Sequence, residues 1–257
     1  MPPVTTVTFA HFPTGAKWSG FSAMRDGPKE LRDITGVRFS RMMGSGKGIG
    51  FDPRPNFHVY VILLVWDDVA AMHRFFSGSW FAQYTASCDA VFTVVQYPMR
   101  SRGAWGGSNP FEPSTYPTTA PGAPPLRAVI TRATIRLTQL VRFWRSVPES
   151  SAAVSQAAGR LFSVGIGEAP LIQQATYSLW ESDDAIQQFA YRGAAHRKVI
   201  SDTHTYNWYS EELFVRFVPV ATIGSWPELA DLTPYGITSF PELPQLSALQ
   251  GATALPA

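Results

Sequence analysis

The sequence predicts an α+β fold made of two fused ferredoxin-like repeats whose sheets close into a barrel with helices outside. Three observations predict it. Gly44-Ser45-Gly46 precedes an apolar run ending in Trp66-Asp67-Asp68, and Gly165-Ile166-Gly167 precedes one ending in Trp180-Glu181-Ser182-Asp183. Each run is followed by a helical stretch, a strand, and a proline seven residues ahead of a tryptophan: Pro98 with Trp105, and Pro219 with Trp226. Finally, 54 positions separate Gly44 from Pro98 and Gly165 from Pro219 alike. Self-similarity at fixed spacing is the mark of a duplicated unit.

Each half reads strand, helix, strand, strand, helix, strand, the ferredoxin-like order. In the first, residues 5–9 are β-rich, and 20–34 read as helix despite Gly27-Pro28. Residues 37–43 and 59–66 are strands by their branched and aromatic content. Residues 69–76 are helical, with more helix through Tyr84, and 90–97 form the fourth strand. In the second half, residues 128–135 alternate as a half-buried strand does. Residues 140–159 are helix-like but broken by Pro148, and 161–164, 173–180 and 213–217 are strands. Asp183 is placed to cap the helix that follows. The halves differ in a Gly/Pro loop at 47–55 of the first and a longer helical segment at 196–208 of the second. The organisation is therefore residues 1–108, first repeat; 109–125, Pro-rich linker; 126–229, second repeat; and 230–257, a Pro/Ala-rich tail that wraps the surface or is disordered.

Apolar residues make up 45% and charged residues 16% of the 257, which suits a globular chain with a substantial core. Aromatics reach 13%, which fits either large cores or a flat apolar pocket for a cofactor or polyene. A net charge of +2 without a long Lys/Arg block gives nucleic-acid binding no electrostatic support. Cys88 is the sole cysteine, so an intrachain disulfide is impossible and a Cys-based zinc or iron–sulfur site is disfavoured. Residues 1–12 lack the pattern of a signal peptide. The longest apolar run, residues 59–66, falls far short of the roughly 20 residues a spanning helix needs. The expectation is a soluble, cytoplasmic protein. Peripheral membrane contact, for access to an apolar substrate, and homo-oligomerisation stay open.

Motifs for several chemistries are missing. HExxH and G-x-S-x-G are absent, and the stretch from Gly44 to Gly50 lacks the G-K-[ST] ending of a phosphate loop, so it reads as a turn. Of the five histidines, His196 stands out. On one helix, Phe189, His196, Val199, Ile200 and Thr203 share a face. Such an imidazole is either a hydrogen-bonded core histidine or an axial haem ligand in a dry pocket. His204, eight residues on, lies about 80° round the helix and cannot share that position. The first half has no histidine near Ala82 or Gln83, the matching region, which points to a single cofactor in the second half. His58, at the start of an apolar strand, is either an edge histidine or a pocket histidine. Arg132 and Arg216 both lie in second-half strands; each is a structural arginine or a partner for a haem propionate or bound O₂.

Several segments carry a family resemblance, in order along residues 4–226. They are Gly44-Ser45-Gly46 with Gly48, Gly50-Phe51 and Pro55-Asn56-Phe57-His58-Val59; Thr131-Arg132-Ala133-Thr134; and Ile166-Gly167-Glu168 with Pro170 and Gln173-Gln174. Further on come Phe189-Ala190, Gly193-Ala194-Ala195-His196, Trp208, Glu211-Glu212-Leu213-Phe214 and Arg216-Phe217. Together they resemble the spheroidene monooxygenase (carotenoid ketolase) family, with His58 and His196 on histidines of its pattern. The resemblance implies a haem protein of the dimeric α+β barrel type. Its cofactor would be haem b and its co-substrate O₂, with electrons from an external donor such as a ferredoxin. It would oxidise a carotenoid carbon beside a methoxy-bearing end to an alcohol and then a ketone. Within this reading His196 is the metal ligand, His58, Arg132 and Arg216 are catalytic candidates, and the two arginines are also cofactor-binding candidates. The alternatives are haem chemistry on a small metabolite, such as oxime dehydration or N–O or N–N bond chemistry, and a non-catalytic haem- or lipophile-binding protein.

Overall fold

The structure is a computed structural model, and it describes residues 3–111, 125–192, 202–203, 205–227 and 229–254. The first repeat runs β1 (Val4–His11), α1 (Lys17–Arg32), β2 (Val37–Gly46), β3 (Pro55–Trp66), α2 (Val69–Phe76), α3 (Ser79–Thr85) and β4 (Ala90–Gly103). The second runs β5 (Arg127–Ile135), α4 (Leu140–Ser155), β6 (Arg160–Ala169), β7 (Gln173–Trp180), α5 (Asp183–Gln187) and β8 (Tyr209–Gly224). A π-helical turn, Gln188–Arg192, follows α5.

Within the repeats the strands lie in the orders β4-β1-β3-β2 and β8-β5-β7-β6. Two seams, β2 against β6 and β4 against β8, close the eight strands into one antiparallel barrel. Closure leaves these strands no free edges. The register at the seams follows the sequence repeat. In the ladders Gly36 matches Gly159 and Gly44 matches Gly167, 123 positions apart, so the first glycine of the sequence repeat corresponds to Gly167 rather than to Gly165. Pro98 matches Pro219, 121 apart, as Gly103 does Gly224. These offsets relate the facing residues Gly44 and Gly167 at one seam, and Tyr97 and Val218 at the other. Equivalent positions that pair with each other mark a local twofold axis, and here it passes through both seams.

The local chemistry explains the elements. Residues 59–66 are continuously apolar because both faces of β3 are covered, one by the barrel interior and one by helices. Asp68 caps α2 by accepting from Ala71 N at 2.7 Å. In the second repeat Ser182, not Asp183, is the cap: its backbone is extended and its hydroxyl accepts from Ala185 N at 3.2 Å. Asp183 is already helical, and its carboxylate is held by two arginines. Pro148 lies inside α4 without breaking it, and Pro28 likewise inside α1.

Alternate strand residues fill the barrel. Val7, Phe9, Val61, Leu63, Val94, Ile130, Tyr177, Val215 and Phe217 all belong to this interior core. The Tyr177 hydroxyl donates to Gln96 Oε1 at 2.9 Å. The outer face of the first repeat is covered by α1, α2, α3 and the chain's tail. That tail adds β9 (Thr238–Phe240), parallel to β8, and α6 (Leu246–Thr253), packed on α2 and β8. No helix among the described residues is long and apolar enough to cross a membrane.

Candidate functional site

Both barrel mouths are plugged by the repeated tryptophans. Trp226 of the second repeat packs on Phe9 and His11 of the first, with ring centroids at 6.0 and 6.4 Å. At the other mouth Trp105 of the first repeat lies against Phe39 and beneath the guanidinium of Arg132, 5.6 Å away. Its indole N–H donates to Glu168 at 2.7 Å. Arg41 reaches the same carboxylate at 2.7 Å, and Arg132 pairs with Glu211. Gly106 and Gly107 donate backbone N–H groups to Glu211 at 3.0 and 2.7 Å. Burial raises the Glu211 carboxyl, but the two amides and Arg132 outweigh it and leave its pKa below the ordinary value. Arg132 is therefore a member of a buried ionic plug joining strands of both repeats.

The outer faces differ more than the interior. In the first repeat Tyr60 pairs with Gly44 and with Ala10. Phe12 meets the Tyr60 ring edge-on at 5.7 Å, and Tyr84 meets Phe12 at 5.7 Å. Gly20 on α1 leaves room for Tyr60: a Cβ there would stand 2.4 Å from its ring. That face is filled. In the second repeat the matching positions are Gln174, which pairs with Gly167 and Ala133, and Ile135, whose N–H donates to Ile172 O as that of Phe12 does to His58 O. Both are buried. The repeats differ one pair further along the ladder. Thr8 and Ile62 of the first repeat pair and are buried, whereas the matching Thr131 and Thr176 are exposed and half-buried. An isoleucine has become a threonine, and this part of the face stands open.

The surroundings of this open face are aromatic and hold unsatisfied donors. On one side Phe189 packs on Trp180 with centroids at 5.2 Å, and Phe214 flanks Thr131 across the ladder. On the other side α4 presents Phe143, 6.0 Å from Trp208. The loop at 47–55 crosses the outside of β6, where Ser163 donates to Ile49 O at 2.6 Å and Ser151 to Phe51 O at 3.1 Å. Arg216 projects outward, sharing its face with Val129. It bonds Asp183 at 3.0 Å, and Arg127 bonds the same carboxylate at 2.7 Å. Among the described residues, Arg216 Nε and Trp208 Nε1 are buried donors without a partner. Such donors are rare in native interiors and suit an absent acceptor.

The structure thus separates the residues singled out in the sequence. Arg132 faces the barrel interior and Arg216 the outer face, so the two do not meet one ligand. His58 belongs to the first repeat, at the mouth plugged by Trp226: its Nδ1 donates to Phe12 O at 2.8 Å, and its ring stacks on His11 at 5.7 Å. His11 is paired with Asp89, and the His73 ring donates to Pro244 O at 3.0 Å. His196 and His204 lie outside the described residues, as does most of the Pro-rich linker. The π turn Gln188–Arg192 ends four positions before His196 in the chain. Burial pushes the Cys88 thiol up to about 12, which makes it a poor nucleophile. No cluster of three or more His, Cys, Asp or Glu side chains able to hold a metal ion occurs among the described residues. The open face was missed in the sequence. Its signal was the exchange of Ile62 for Thr176, visible once the repeats are matched through their ladders rather than through Gly44 and Gly165.

The face thus carries Thr131 and Thr176 between the aromatic rings of Phe189, Phe214 and Trp180, with a buried N–H of Arg216 that has no acceptor among the described residues. The described residues offer no axial haem ligand there, and His196 follows in the chain.

No family model matches the chain. Spheroidene monooxygenase of Cereibacter sphaeroides is 36% identical over 224 residues, covering 86% of this chain and 67% of the relative. That of Rhodobacter capsulatus is 34% identical over 204 residues, covering 77% and 82%. That of Rubrivivax gelatinosus is 33% identical over 215 residues, covering 83% and 80%. Among solved structures, aldoxime dehydratase shares the fold, with a TM-score of 0.55 at 10% identity over 84% of this chain and 81% of that one. An aldoxime dehydratase complex with butyraldoxime gives a TM-score of 0.51, again at 10% identity, over 84% and 79%. Identity above 30% along most of its length, together with the barrel itself, means that the chain belongs to the spheroidene monooxygenase family.

Proposed function

We propose that this chain is a haem-dependent monooxygenase, which inserts an oxygen atom from O₂ into a C–H bond of an apolar, carotenoid-like substrate. The observation that carries this reading is the open outer face of the second repeat, where Thr131 and Thr176 are exposed and half-buried while the matching Thr8 and Ile62 of the first repeat are buried. Family membership supports the reaction class, because the relatives are named for monooxygenation of spheroidene. The shared fold with aldoxime dehydratase does not transfer chemistry, since one fold hosts many reactions.

In this reading His196 would hold the haem iron through its neutral imidazole. Arg216 would offer its unsatisfied Nε–H to a propionate while Asp183 orients the guanidinium. Thr131 and Thr176 would leave room for the group, and Phe189 and Phe214 would shield it from water. Haem, when bound, supplies an oxidant suited to a weak C–H beside a polyene, while the protein supplies orientation and a dry setting. Electrons come from an external donor such as a ferredoxin.

The test is turnover. The purified protein is given a carotenoid, isotopically labelled O₂ and a reducing system. The expected product carries one labelled oxygen as an alcohol, and a ketone follows on longer incubation. Consumption of an oxime or of a nitrogen–oxygen substrate, with the carotenoid untouched, would replace this reading.

A further inference from the structure

Among the described residues, large exposed apolar side chains fall into two groups, one near each mouth of the barrel. Trp18, Phe21 and Phe57 touch one another near the His11 end of β1. Leu137, Val141, Leu171 and Tyr206 gather near the Ile135 end of β5. The strand register places these ends on opposite rims. His11 faces Ala90 at the start of β4, whereas Ile135 faces Tyr209 at the start of β8, beside the far end of β4. A planar surface that meets one group therefore does not meet the other.

The second group has the more directive chemistry. Leu137 and Val141 are 70% and 65% exposed, one turn apart at the start of α4. Leu171 forms the tip of the β6–β7 hairpin with φ of 65°, a left-handed conformation that leucine rarely adopts. The Trp144 indole fixes this tip by donating to Leu171 O at 3.1 Å. Arg136, Arg142 and Arg145 are exposed around the apolar side chains, and Arg142 stacks on Tyr206 at 3.9 Å. From Arg136 to Pro148 the chain contains no carboxylate. Around Trp18, in contrast, α1 mixes exposed Arg25, Asp26, Lys29 and Glu30. Apolar side chains ringed by arginines with no acidic residue match the apolar boundary and negative surface of an anionic bilayer.

We propose that the face formed by Leu137, Val141, Leu171 and Arg136, Arg142 and Arg145 docks the protein on the surface of an anionic lipid bilayer. The inference stands on this surface alone and is independent of the cofactor. It has a functional consequence, because the buried side of α4 carries Phe143, which borders the open face of the second repeat. Docking would bring that face to the phase in which a carotenoid dissolves.

The experiment is flotation of the purified full chain with vesicles of phosphatidylcholine alone or mixed with phosphatidylglycerol. Binding is expected on the mixed vesicles, weaker on the neutral ones, and reduced by salt. R142E/R145E should lower it about tenfold or more, and L137S/V141S should lower it as well. W18S/F21S should bind like the parent. All the substituted positions are exposed, and circular dichroism and thermal melts verify folding. Absence of binding to anionic vesicles overturns the proposal, as does parental binding by R142E/R145E. Loss of binding in W18S/F21S alone would move the contact to the opposite rim. A dimer in solution that L137S/V141S dissociates would make the face a self-association surface instead, also overturning it.

Discussion

Gly44 pairs with Gly167 across the seam between β2 and β6, and the two residues occupy equivalent positions, 123 apart in the chain, each just before the same irregularity in its own repeat's ladder. The seam therefore sits on the local twofold axis, and what differs between the repeats is confined to surfaces away from it. Near this seam Gly165 is tightly constrained: a Cβ there would lie 2.0 Å from Gly50 O. That contact is with backbone, which cannot swing aside. G165A should cost about 1–3 kcal/mol, as overpacking does. G44A, with open space around it, should cost far less. Urea unfolding of both variants measures the difference.

Trp105 is 1% exposed and closes one mouth of the barrel. W105A should destabilise the protein by about 3–5 kcal/mol, the range for truncating a large buried aromatic. It also removes the donor that Glu168 accepts from. W105F, which keeps the ring but not the N–H, should recover most of the loss in the same unfolding assay.

The carboxylate of Glu211 makes a pH-dependent contribution. Its folded pKa is depressed, so the stability it adds is present above its unfolded pKa of about 4.3 and is lost as pH falls through the folded value. At pH near neutrality E211Q should cost about 3 kcal/mol, because it removes one partner of the buried Arg132. The gap between E211Q and the parent should narrow as the pH is lowered below that value. A gap that stays constant across the acid range would show that the carboxylate's charge is not what matters.

Asp183 neutralises both Arg127 and Arg216, whose side chains are 7% and 13% exposed. D183N should destabilise the protein by about 3–5 kcal/mol, because two poorly solvated guanidiniums lose the carboxylate they share. D184N, at the neighbouring position, should stay within about 0.5 kcal/mol of the parent. Thermal melts of the two variants in parallel check this contrast.

Much of the barrel was legible in the sequence because a duplicated strand order leaves repeated landmarks. Pro98 and Pro219 match at one seam, and the tryptophans that follow them became the plugs of the two mouths. The Gly44/Gly165 match was two residues out, because a repeated Gly-x-Gly fits either glycine and the ladder pairs Gly44 with Gly167. The direction of the arginines was harder to read. Arg132 and Arg216 both looked like residues of half-buried strands, but which face each one takes depends on closure of the barrel. Only the cross-strand register shows that Arg132 faces inward with Leu213 and Arg216 outward with Val129. The helix cap slipped by one residue because Ser182 and Asp183 are both good caps, and Asp183 has two arginines to satisfy elsewhere. The Pro-rich tail, without a strong period, gave no sign of the ninth strand or of α6, whose order comes from packing on the first repeat.

The central claim is that the open face of the second repeat holds haem through His196, and the absorption spectrum with iron quantified tests it most directly. Three proteins are compared: the parent, H196A, and T131F/T176Y, which fills the exposed part of the face with bulky side chains. The account predicts a Soret band and a single haem in the parent. It predicts loss of both in H196A, partly restored by added imidazole, and loss in T131F/T176Y, with all three folded by circular dichroism. A parent without iron, or H196A and T131F/T176Y with full haem and an unchanged spectrum, would contradict it.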